Sequence, residues 1–311
     1  MVTRIIVPVG CRSDEGLSAP IIKRLQNNPA FHVDILDLSQ VAGDVIQSII
    51  HTELNTKYLN PKPDLALIVG DRAEMYGAAI SFFNHDINIA HIYAGAISGE
   101  STQDQFYRAS ITLFSDIQFC ESVTAVFRVR ELKKSAGLKS HEFLTGATHL
   151  DDVVVDLSLI PSKDYDLILY NPITLGNNPP AQIIEEIDHI AELVKDSGRL
   201  ICWIGPNPDI YNVLVKDKID QLISAGARSQ TGLYERSYYS DNVPRPQFLG
   251  LLKHCSRFIG NSSAQFYEAP YFLKPEQIIN IGTRNADRET VTLYEASDKI
   301  VKHLEELYDK N

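Results

Sequence analysis

The segment from Gly260 to Glu268 carries the residue types of a phosphate-binding turn. The apolar run 257–259 ends at Gly260, and Ser262 and Ser263 stand where a helix should begin. Backbone N–H groups and the positive end of the helix dipole converge at such a turn, so an anionic group is favoured there. Glu268, further along the predicted helix, can accept hydrogen bonds from the hydroxyls of a ribose. The segment indicates a nucleoside diphosphate site, although either serine can equally be an ordinary N-cap.

Polar residues near the N-terminus follow predicted strands. Arg12 comes after the first apolar run, where its side chain either clamps a phosphate or lies at the surface. Asp71 follows a second apolar run at the rim expected for a ligand crevice, where its carboxylate can accept a proton or serve as an N-cap. Arg108 lies one helical turn after Asp104, so the two either pair or both face the crevice. His91 lies inside a predicted strand and is interpreted as a buried structural histidine.

The elements that must position these residues alternate along the whole chain. Short β-branched runs are separated by longer amphipathic stretches, which is typical of βαβ units. We predict an α/β protein of two Rossmann-like domains, residues 1–157 and 158–311, with the terminal helix packing back on the first domain. Ligands of open α/β sheets bind beyond the carboxyl ends of the strands, so we expect the site in a cleft between the domains.

The composition restricts the class of protein. Of 311 residues, 44% are hydrophobic and 22% are charged, which is typical of a globular protein, and no apolar run approaches the ~20 residues of a membrane span. We therefore expect a cytoplasmic protein, with its four cysteines reduced. The net charge of −11 disfavours nucleic acid as a partner. No histidine or cysteine stands in ligand spacing, so we expect no metal site.

Several short motifs occur in a fixed order along the chain. They include Gly10-Cys11-Arg12, Gly70-Asp71-Arg72, Ala90-His91-Ile92, Thr145-Gly146, Gly260-Asn261-Ser262-Ser263 and Asn280-Ile281-Gly282. Together they resemble the UDP-N-acetylglucosamine 2-epimerase family, most closely its hydrolysing branch, over nearly the whole chain. The resemblance implies the glycosyltransferase-B fold, in which two Rossmann-like domains face a cleft. It also implies UDP held mainly by the C-terminal domain, and a homodimer, as in many relatives.

The resemblance also assigns ligand-binding positions. It places Arg12, Ser262, Ser263, Glu268 and Arg284 where the family holds the diphosphate and the uridine ribose. A UDP-sugar is then the substrate, and no separate cofactor is required.

The catalytic positions implied by the resemblance are kept only in part. Asp71 falls on a catalytic carboxylate, and Arg108 falls on an arginine of the sugar site. Tyr93 and Gln105 stand where the family has carboxylates, and Asn171 stands where it has a histidine. The elimination and re-addition steps of epimerisation need groups that exchange protons, and such groups typically contribute ~10²–10⁴-fold each. Glutamine cannot titrate, and a tyrosine with a reference pKa near ~10 is a poor base, so we expect altered chemistry.

Three functions are compatible with this pattern. The first is transfer of the sugar of a UDP-sugar to an unknown acceptor, with Asp71 as the base on the acceptor hydroxyl. The second is hydrolysing 2-epimerisation with a reorganised acid–base set. The third is UDP-sugar binding without catalysis. The sequence alone favours the first.

Overall fold

The chain forms two compact units in a computed structural model. The model describes residues 2–10, 12–55, 61–97, 102–174, 178–207, 209–229, 237–286 and 288–308, without the side chains of 12–16, 102 and 225–229. The first unit comprises Met1–Asp152 with Val291–Asn311, and the second comprises Val153–Thr290. No helix in the described part of the chain is long and apolar enough to cross a membrane.

The first unit is built on a six-stranded parallel sheet in the order β2-β1-β3-β4-β5-β6. Its strands are β1 Thr3–Val9, β2 Phe31–Asp37, β3 Leu65–Val69, β4 Asn88–Ile92, β5 Ile117–Cys120 and β6 His141–Leu144. Its helices are α1 Arg12–Gln26, α2 Val45–Leu54, α3 Ala73–Asn84, α4 Thr102–Phe114, α5 Val123–Ser135 and, near the C-terminus, α11 Ala296–Tyr308. All five residues of β3 are buried, as expected for a central strand of a parallel sheet covered on both faces.

The second unit is built on a five-stranded parallel sheet in the order β11-β10-β7-β8-β9. Its strands are β7 Tyr165–Leu169, β8 Leu200–Ile204, β9 Ser237–Ser240, β10 Arg257–Gly260 and β11 Ile278–Asn280. Its helices are α6 Pro179–Val194, α7 Asn212–Ser229, α8 Arg245–His254, α9 Ala264–Tyr267 and α10 Ala269–Phe272. The strand order reverses between β7 and β10, and crevices at such reversals are where open α/β sheets bind ligands.

The predicted α/β class with two Rossmann-like domains is confirmed, whereas the boundary differs in detail. The structure divides the chain between Asp152 and Val153, a few residues before the predicted boundary. Helix α11 belongs to the first unit, where it contacts α1. Arg24 Nε donates to Asp298 Oδ1 over 2.6 Å, and Asn28 Nδ2 donates to Glu305 Oε1 over 2.5 Å.

Candidate functional site

The turn after β10 in the second unit requires glycine at its first position. Gly260 has φ of +144°, a conformation that side chains with a Cβ rarely adopt. A Cβ atom at this position would lie 2.0 Å from the carbonyl oxygen of Leu169, at the end of the neighbouring strand β7. The missing side chain therefore lets the turn pass directly over the end of β7, at the carboxyl edge of the sheet.

The two serines after this turn differ in their hydrogen bonds. Ser262 Oγ accepts from the backbone N–H of Ala264 over 3.2 Å, so this hydroxyl caps the start of α9. Ser263 occupies the N-cap position, but its side chain makes no cap hydrogen bond. Within the described residues, the backbone N–H groups of Ser262 and Ser263 have no acceptor. The turn therefore offers two N–H donors and the Ser263 hydroxyl to an anion.

The helix expected to run from the serines past Glu268 is interrupted. Two four-residue helices, α9 and α10, meet at Glu268, and Pro270 stands in the first turn of the second. A proline ring at this position cannot continue an existing helical hydrogen-bond pattern. The turn with the N–H donors of Ser262 and Ser263 is called the anion seat from here on. Because α9 is a single turn, this seat depends on individual N–H groups more than on a long helix dipole.

Glu268 has a partner that sequence reasoning missed. Its Oε1 accepts from Nη1 of Arg245 over 2.9 Å, and its side chain is largely buried, whereas that of Arg245 is half exposed. A carboxylate has acceptor capacity beyond one hydrogen bond, so Glu268 retains capacity for a ribose hydroxyl. No sequence signal connects these residues, because Arg245 lies at the start of α8, outside any recognisable motif.

Asn171, Asn261 and Asn285 form a buried amide cluster at the carboxyl edge of the second sheet. Asn171 donates its backbone N–H to Asn261 Oδ1 over 2.7 Å, and Asn261 Nδ2 donates back to the carbonyl of Asn171 over 2.9 Å. Asn171 Oδ1 accepts from the backbone N–H of Asn207 over 2.9 Å. Asn285 Nδ2 donates to the carbonyl of Asn261 over 2.6 Å. The Asn171 side chain therefore holds the loop at Asn207 in place. Its amide is not a group that can act as a general acid or base.

Arg284 lies beside this cluster. Its Nη1 is 3.5 Å from the carbonyl oxygen of Asn261, and its side chain is mostly buried, with Nη2 at 4.0 Å from Asp209 Oδ2. Because Asn261 directly precedes Ser262, the structure brings Arg284 to the segment that carries the two serines. This arrangement places a guanidinium, the preferred partner of phosphate, next to the candidate anion seat.

In the first unit, Asp71 and Arg108 form a direct ion pair. Asp71 follows β3, and Arg108 on α4 donates from Nη2 to its carboxylate. Nη1 of Arg108 also donates to the carbonyl of Tyr93, after β4, over 2.9 Å. Arg108 is buried, and its Nε has no hydrogen-bond partner within the described residues. The structure therefore shows Arg108 held by Asp71 at the ends of two strands, a partner that neither predicted alternative for Arg108 named.

Tyr93 directs its hydroxyl into the protein. Its φ is +67°, an uncommon value for a residue other than glycine. The hydroxyl accepts from the backbone N–H of Thr148 and lies 2.9 Å from Thr148 Oγ1, which itself donates to the carbonyl of Leu17. The phenol proton is thus directed to Thr148 in a chain of hydrogen bonds. This arrangement favours a structural role for the Tyr93 side chain.

Gln105 lies on α4 three residues before Arg108, so both side chains share one face of the helix. Its Nε2 donates to the carbonyl of Ala96 over 3.3 Å. The amide thereby ties α4 to the loop after β4. Its side chain occupies a position where a carboxylate is expected, but offers no titratable group.

His91 is fully buried, as predicted. Its Nε2–H donates to the carbonyl of Gly70 over 2.8 Å, and Nδ1 lies 3.0 Å from Thr112 Oγ1. Burial lowers the pKa of His91 to about 3, so the ring is neutral at physiological pH. The ring joins β4 to the turn that carries Asp71.

The predicted residues fall into two sets, one in each unit. Asp71, Tyr93, Gln105 and Arg108 gather in the first unit, and the second unit holds Asn171, Ser262, Ser263, Glu268 and Arg284. Arg12 begins α1, but its side chain lies outside the described residues. In the same described part, no three His, Cys, Asp or Glu side chains are placed to share a metal ion.

Comparison with known proteins identifies the family. The family model described as UDP-N-acetylglucosamine 2-epimerase matches residues 2–311, and the chain belongs to this family. The chain is 24% identical to the UDP-N-acetylglucosamine 2-epimerase of Neisseria meningitidis, with 92% of this chain and 81% of the relative covered. It is 23% identical to the UDP-N,N'-diacetylbacillosamine 2-epimerase (hydrolyzing) of Legionella pneumophila, with 93% and 83% covered.

Solved structures show the same fold. An S. aureus MnaA–UDP co-structure superposes with a TM-score of 0.74 at 16% identity, covering 99% of this chain and 97% of the other. The UDP-GlcNAc 2-epimerase of Neisseria meningitidis, bound to UDP-GlcNAc, gives a TM-score of 0.71 at 16% identity, covering 98% and 100%. The predicted glycosyltransferase-B fold class is thereby confirmed.

Proposed function

We propose that the chain binds a UDP-sugar, with the diphosphate on the turn at Ser262 and Ser263. The support is the pair of backbone N–H groups without an acceptor in the described residues, beside the Ser263 hydroxyl and Arg284. Glu268 is the ribose acceptor in this proposal. Relatives solved with UDP or UDP-GlcNAc share the fold and support a nucleotide of this class.

We further propose that the reaction transfers the sugar from UDP to an acceptor hydroxyl. The observation that carries this is the set of hydrogen bonds at Tyr93, Gln105 and Asn171, each of which is used to hold a backbone segment. Transfer needs stabilisation of the departing diphosphate and at most one base on the acceptor. The C1–O bond to UDP breaks, the acceptor oxygen bonds to C1, and the acceptor proton passes to Asp71.

Hydrolysing 2-epimerisation is the second candidate, and family membership together with the names of the relatives favours it. That reaction would need proton exchange at C2 of the sugar by groups other than Tyr93, Gln105 and Asn171. Binding of a UDP-sugar without turnover is the third candidate. It would follow if Asp71, held by Arg108, took part only in structure.

Incubation with UDP-GlcNAc in D₂O separates these functions. Released UDP is measured with and without an acceptor extract, and deuterium at C2 is followed by NMR. UDP release that depends on the extract, without deuterium at C2, is the expected result. Deuterium at C2 would establish epimerase chemistry, and binding without any release would leave a UDP-sugar-binding protein.

An Asp71→Asn variant tests the base in the same assay. It is expected to bind UDP like the wild type and to lose transfer by about 10²-fold or more. Equal transfer rates in the variant and the wild type would remove Asp71 from the reaction.

A further inference from the structure

We propose that Glu186 on α6 is a positioning residue for Arg284. Its carboxylate packs against Gly282 and sets the turn that brings the Arg284 guanidinium to the anion seat. All three residues lie in the second unit. This role rests on the proposed function, in which Arg284 binds the diphosphate of UDP, and Glu186 lies outside the motifs by which the sequence indicates a nucleotide site.

The carboxylate of Glu186 is held at both oxygens. Oε2 accepts from the hydroxyl of Tyr170 over 2.8 Å, and Oε1 accepts from Nε2 of Gln182 over 2.9 Å. Tyr170 follows β7 and is buried in the core of the second unit, whereas Gln182 lies one turn earlier on α6. Burial and the neighbouring carboxylate raise the pKa of Tyr170, so its phenol stays protonated and donates to Glu186. The position of the carboxylate is therefore fixed by the core as well as by its own helix.

Gly282 lies directly against this carboxylate. A Cβ atom at Gly282 would lie 2.2 Å from Oε1 and 2.5 Å from Cδ of Glu186, so only a residue without a side chain fits. The backbone of Gly282 has φ of +69°, which residues other than glycine rarely adopt. Movement of the carboxylate away from the glycine would break its hydrogen bonds with Tyr170 and Gln182. The carboxylate and the left-handed glycine therefore hold each other in position.

The turn at Gly282 connects β11 to Arg284. Ile281 donates its backbone N–H to the carbonyl of Gly260 over 2.7 Å, and its side chain is buried in the same core as the ring of Tyr170. The chain is thus fixed directly before Gly282. The conformation of Gly282 therefore decides the direction in which the chain continues to Arg284, two residues later.

Arg284 reaches the anion seat from this turn. Its Nη1 lies 3.5 Å from the carbonyl oxygen of Asn261, directly before Ser262, and only 11% of its side chain is exposed. A guanidinium binds phosphate through a planar set of N–H donors, so its orientation decides how well it pairs. A mostly buried side chain has little room to correct a shift of its backbone. The contact with a diphosphate therefore depends on Glu186 through Gly282.

A purely structural role for Glu186 would have a different consequence for binding. Lower stability of the second unit would weaken every ligand of that unit, whereas a displaced Arg284 affects only the diphosphate. Uridine has the base and the ribose of UDP but no diphosphate. The affinities for UDP and for uridine therefore separate the two effects.

Isothermal titration with UDP and with uridine tests this role. Glu186→Ala should weaken UDP binding by about 10-fold, within the range typical of coupled neighbours, and change uridine binding by less than about 2-fold. Glu186→Gln keeps the shape and an acceptor for Tyr170, so it should restore most of the affinity for UDP. Glu185→Ala removes the adjacent, exposed carboxylate of α6 and should bind both ligands like the wild type. Circular dichroism spectra equal to that of the wild type would show that the variants are folded.

A double-mutant cycle shows whether Glu186 acts through Arg284. Arg284→Met should itself weaken UDP binding, and Glu186→Ala added to it should cause no further loss. A further loss of about 10-fold in that background would overturn the positioning role while leaving the nucleotide site in place. So would equal losses for UDP and uridine, or unchanged UDP affinity, in Glu186→Ala. A wild type that does not bind UDP would instead remove the proposed function, and the role of Glu186 with it.

Discussion

Asn171 and Asn261 hold each other through reciprocal hydrogen bonds of 2.7 Å and 2.9 Å between the backbone of one and the side-chain amide of the other. The amide of Asn261 thereby pairs with the chain beyond β7 as a neighbouring strand would. Both residues are buried, so each of these polar groups depends on the other for its partner. The pair connects the loop after β7 to the turn that carries Ser262.

Asn261→Ala is therefore expected to destabilise the second unit. The variant leaves the N–H and the carbonyl of Asn171 without their partners in a buried position, at a cost of roughly 1–3 kcal/mol each. We expect the free energy of unfolding to fall by about 3 kcal/mol in urea denaturation. Isothermal titration should also show weaker binding of UDP, because the seat follows directly after Asn261.

The matched control for this variant is Asn280→Ala. Asn280 is also an asparagine at the carboxyl edge of the second sheet, but it is exposed, and within the described residues its amide donates only to the carbonyl of Gly282. Its replacement should change stability by no more than about 0.5 kcal/mol. Equal losses in the two variants would contradict the structural role assigned to the amide cluster.

The sequence predicts the position of the seat but not the groups that hold it. Gly260 and the serines follow an apolar strand, and that local pattern suffices to predict a turn at the edge of a sheet. The pairing of Asn171 with Asn261, and of Arg245 with Glu268, joins residues far apart in the chain. Such pairs depend on strand order and helix placement, which local periodicity does not specify.

The two serines of the seat are expected to respond differently to substitution. Ser263→Ala removes a hydroxyl that caps nothing, so stability should stay within about 0.5 kcal/mol of the wild type. Loss of a hydrogen bond to a charged phosphate should weaken UDP binding by roughly 10- to 100-fold. Ser262→Ala also removes the acceptor of the Ala264 N–H and should cost about 1 kcal/mol of stability.

Calorimetric titration with UDP and denaturation in urea measure the two effects separately. Ser162→Ala, at an exposed serine of the same unit, is the control and should change neither quantity. Unchanged UDP affinity in Ser263→Ala would remove this hydroxyl from the nucleotide site.

The ion pair of Asp71 and Arg108 is expected to contribute to stability whatever its role in catalysis. Asp71→Ala leaves a buried guanidinium without its carboxylate, which should cost roughly 3 kcal/mol. Asp71→Asn keeps an acceptor for Arg108 and should cost less. Arg108→Met should reduce the effect of Asp71→Ala, so the two losses of unfolding free energy should not add.

The exposed pair of Lys216 and Asp241 provides the comparison. The side chain of Lys216 is 44% exposed and that of Asp241 is 67% exposed, so Lys216→Met should cost only a small fraction of the loss in Asp71→Ala in the same denaturation experiment. Additive losses at Asp71 and Arg108, each as small as that of Lys216→Met, would contradict a structural ion pair.

Tyr93 shows a second limit of prediction from sequence. The apolar run that ends at Tyr93 predicts the strand β4 that leads to this residue. Its left-handed backbone and its bond to Thr148 were not predictable, because they depend on a loop that returns after β6. A chemical role inferred from residue type alone must therefore be checked against the direction in which the side chain points.

The buried ring of His91 is expected to make stability depend on pH. Its pKa of about 3 in the folded protein lies below the ordinary value of 6.5, so between these values the unfolded chain binds more protons than the folded chain does. The free energy of unfolding must therefore fall as pH is lowered through this range.

Between pH 7 and pH 5, we expect the wild type to lose about 2 kcal/mol more than His91→Gln, whose amide can still donate to Gly70. Urea denaturation at both pH values measures this difference, with the exposed His189→Gln as a control that should keep the wild-type loss. An equal loss in His91→Gln and in the wild type would mean that His91 is already protonated in the folded protein at pH 5.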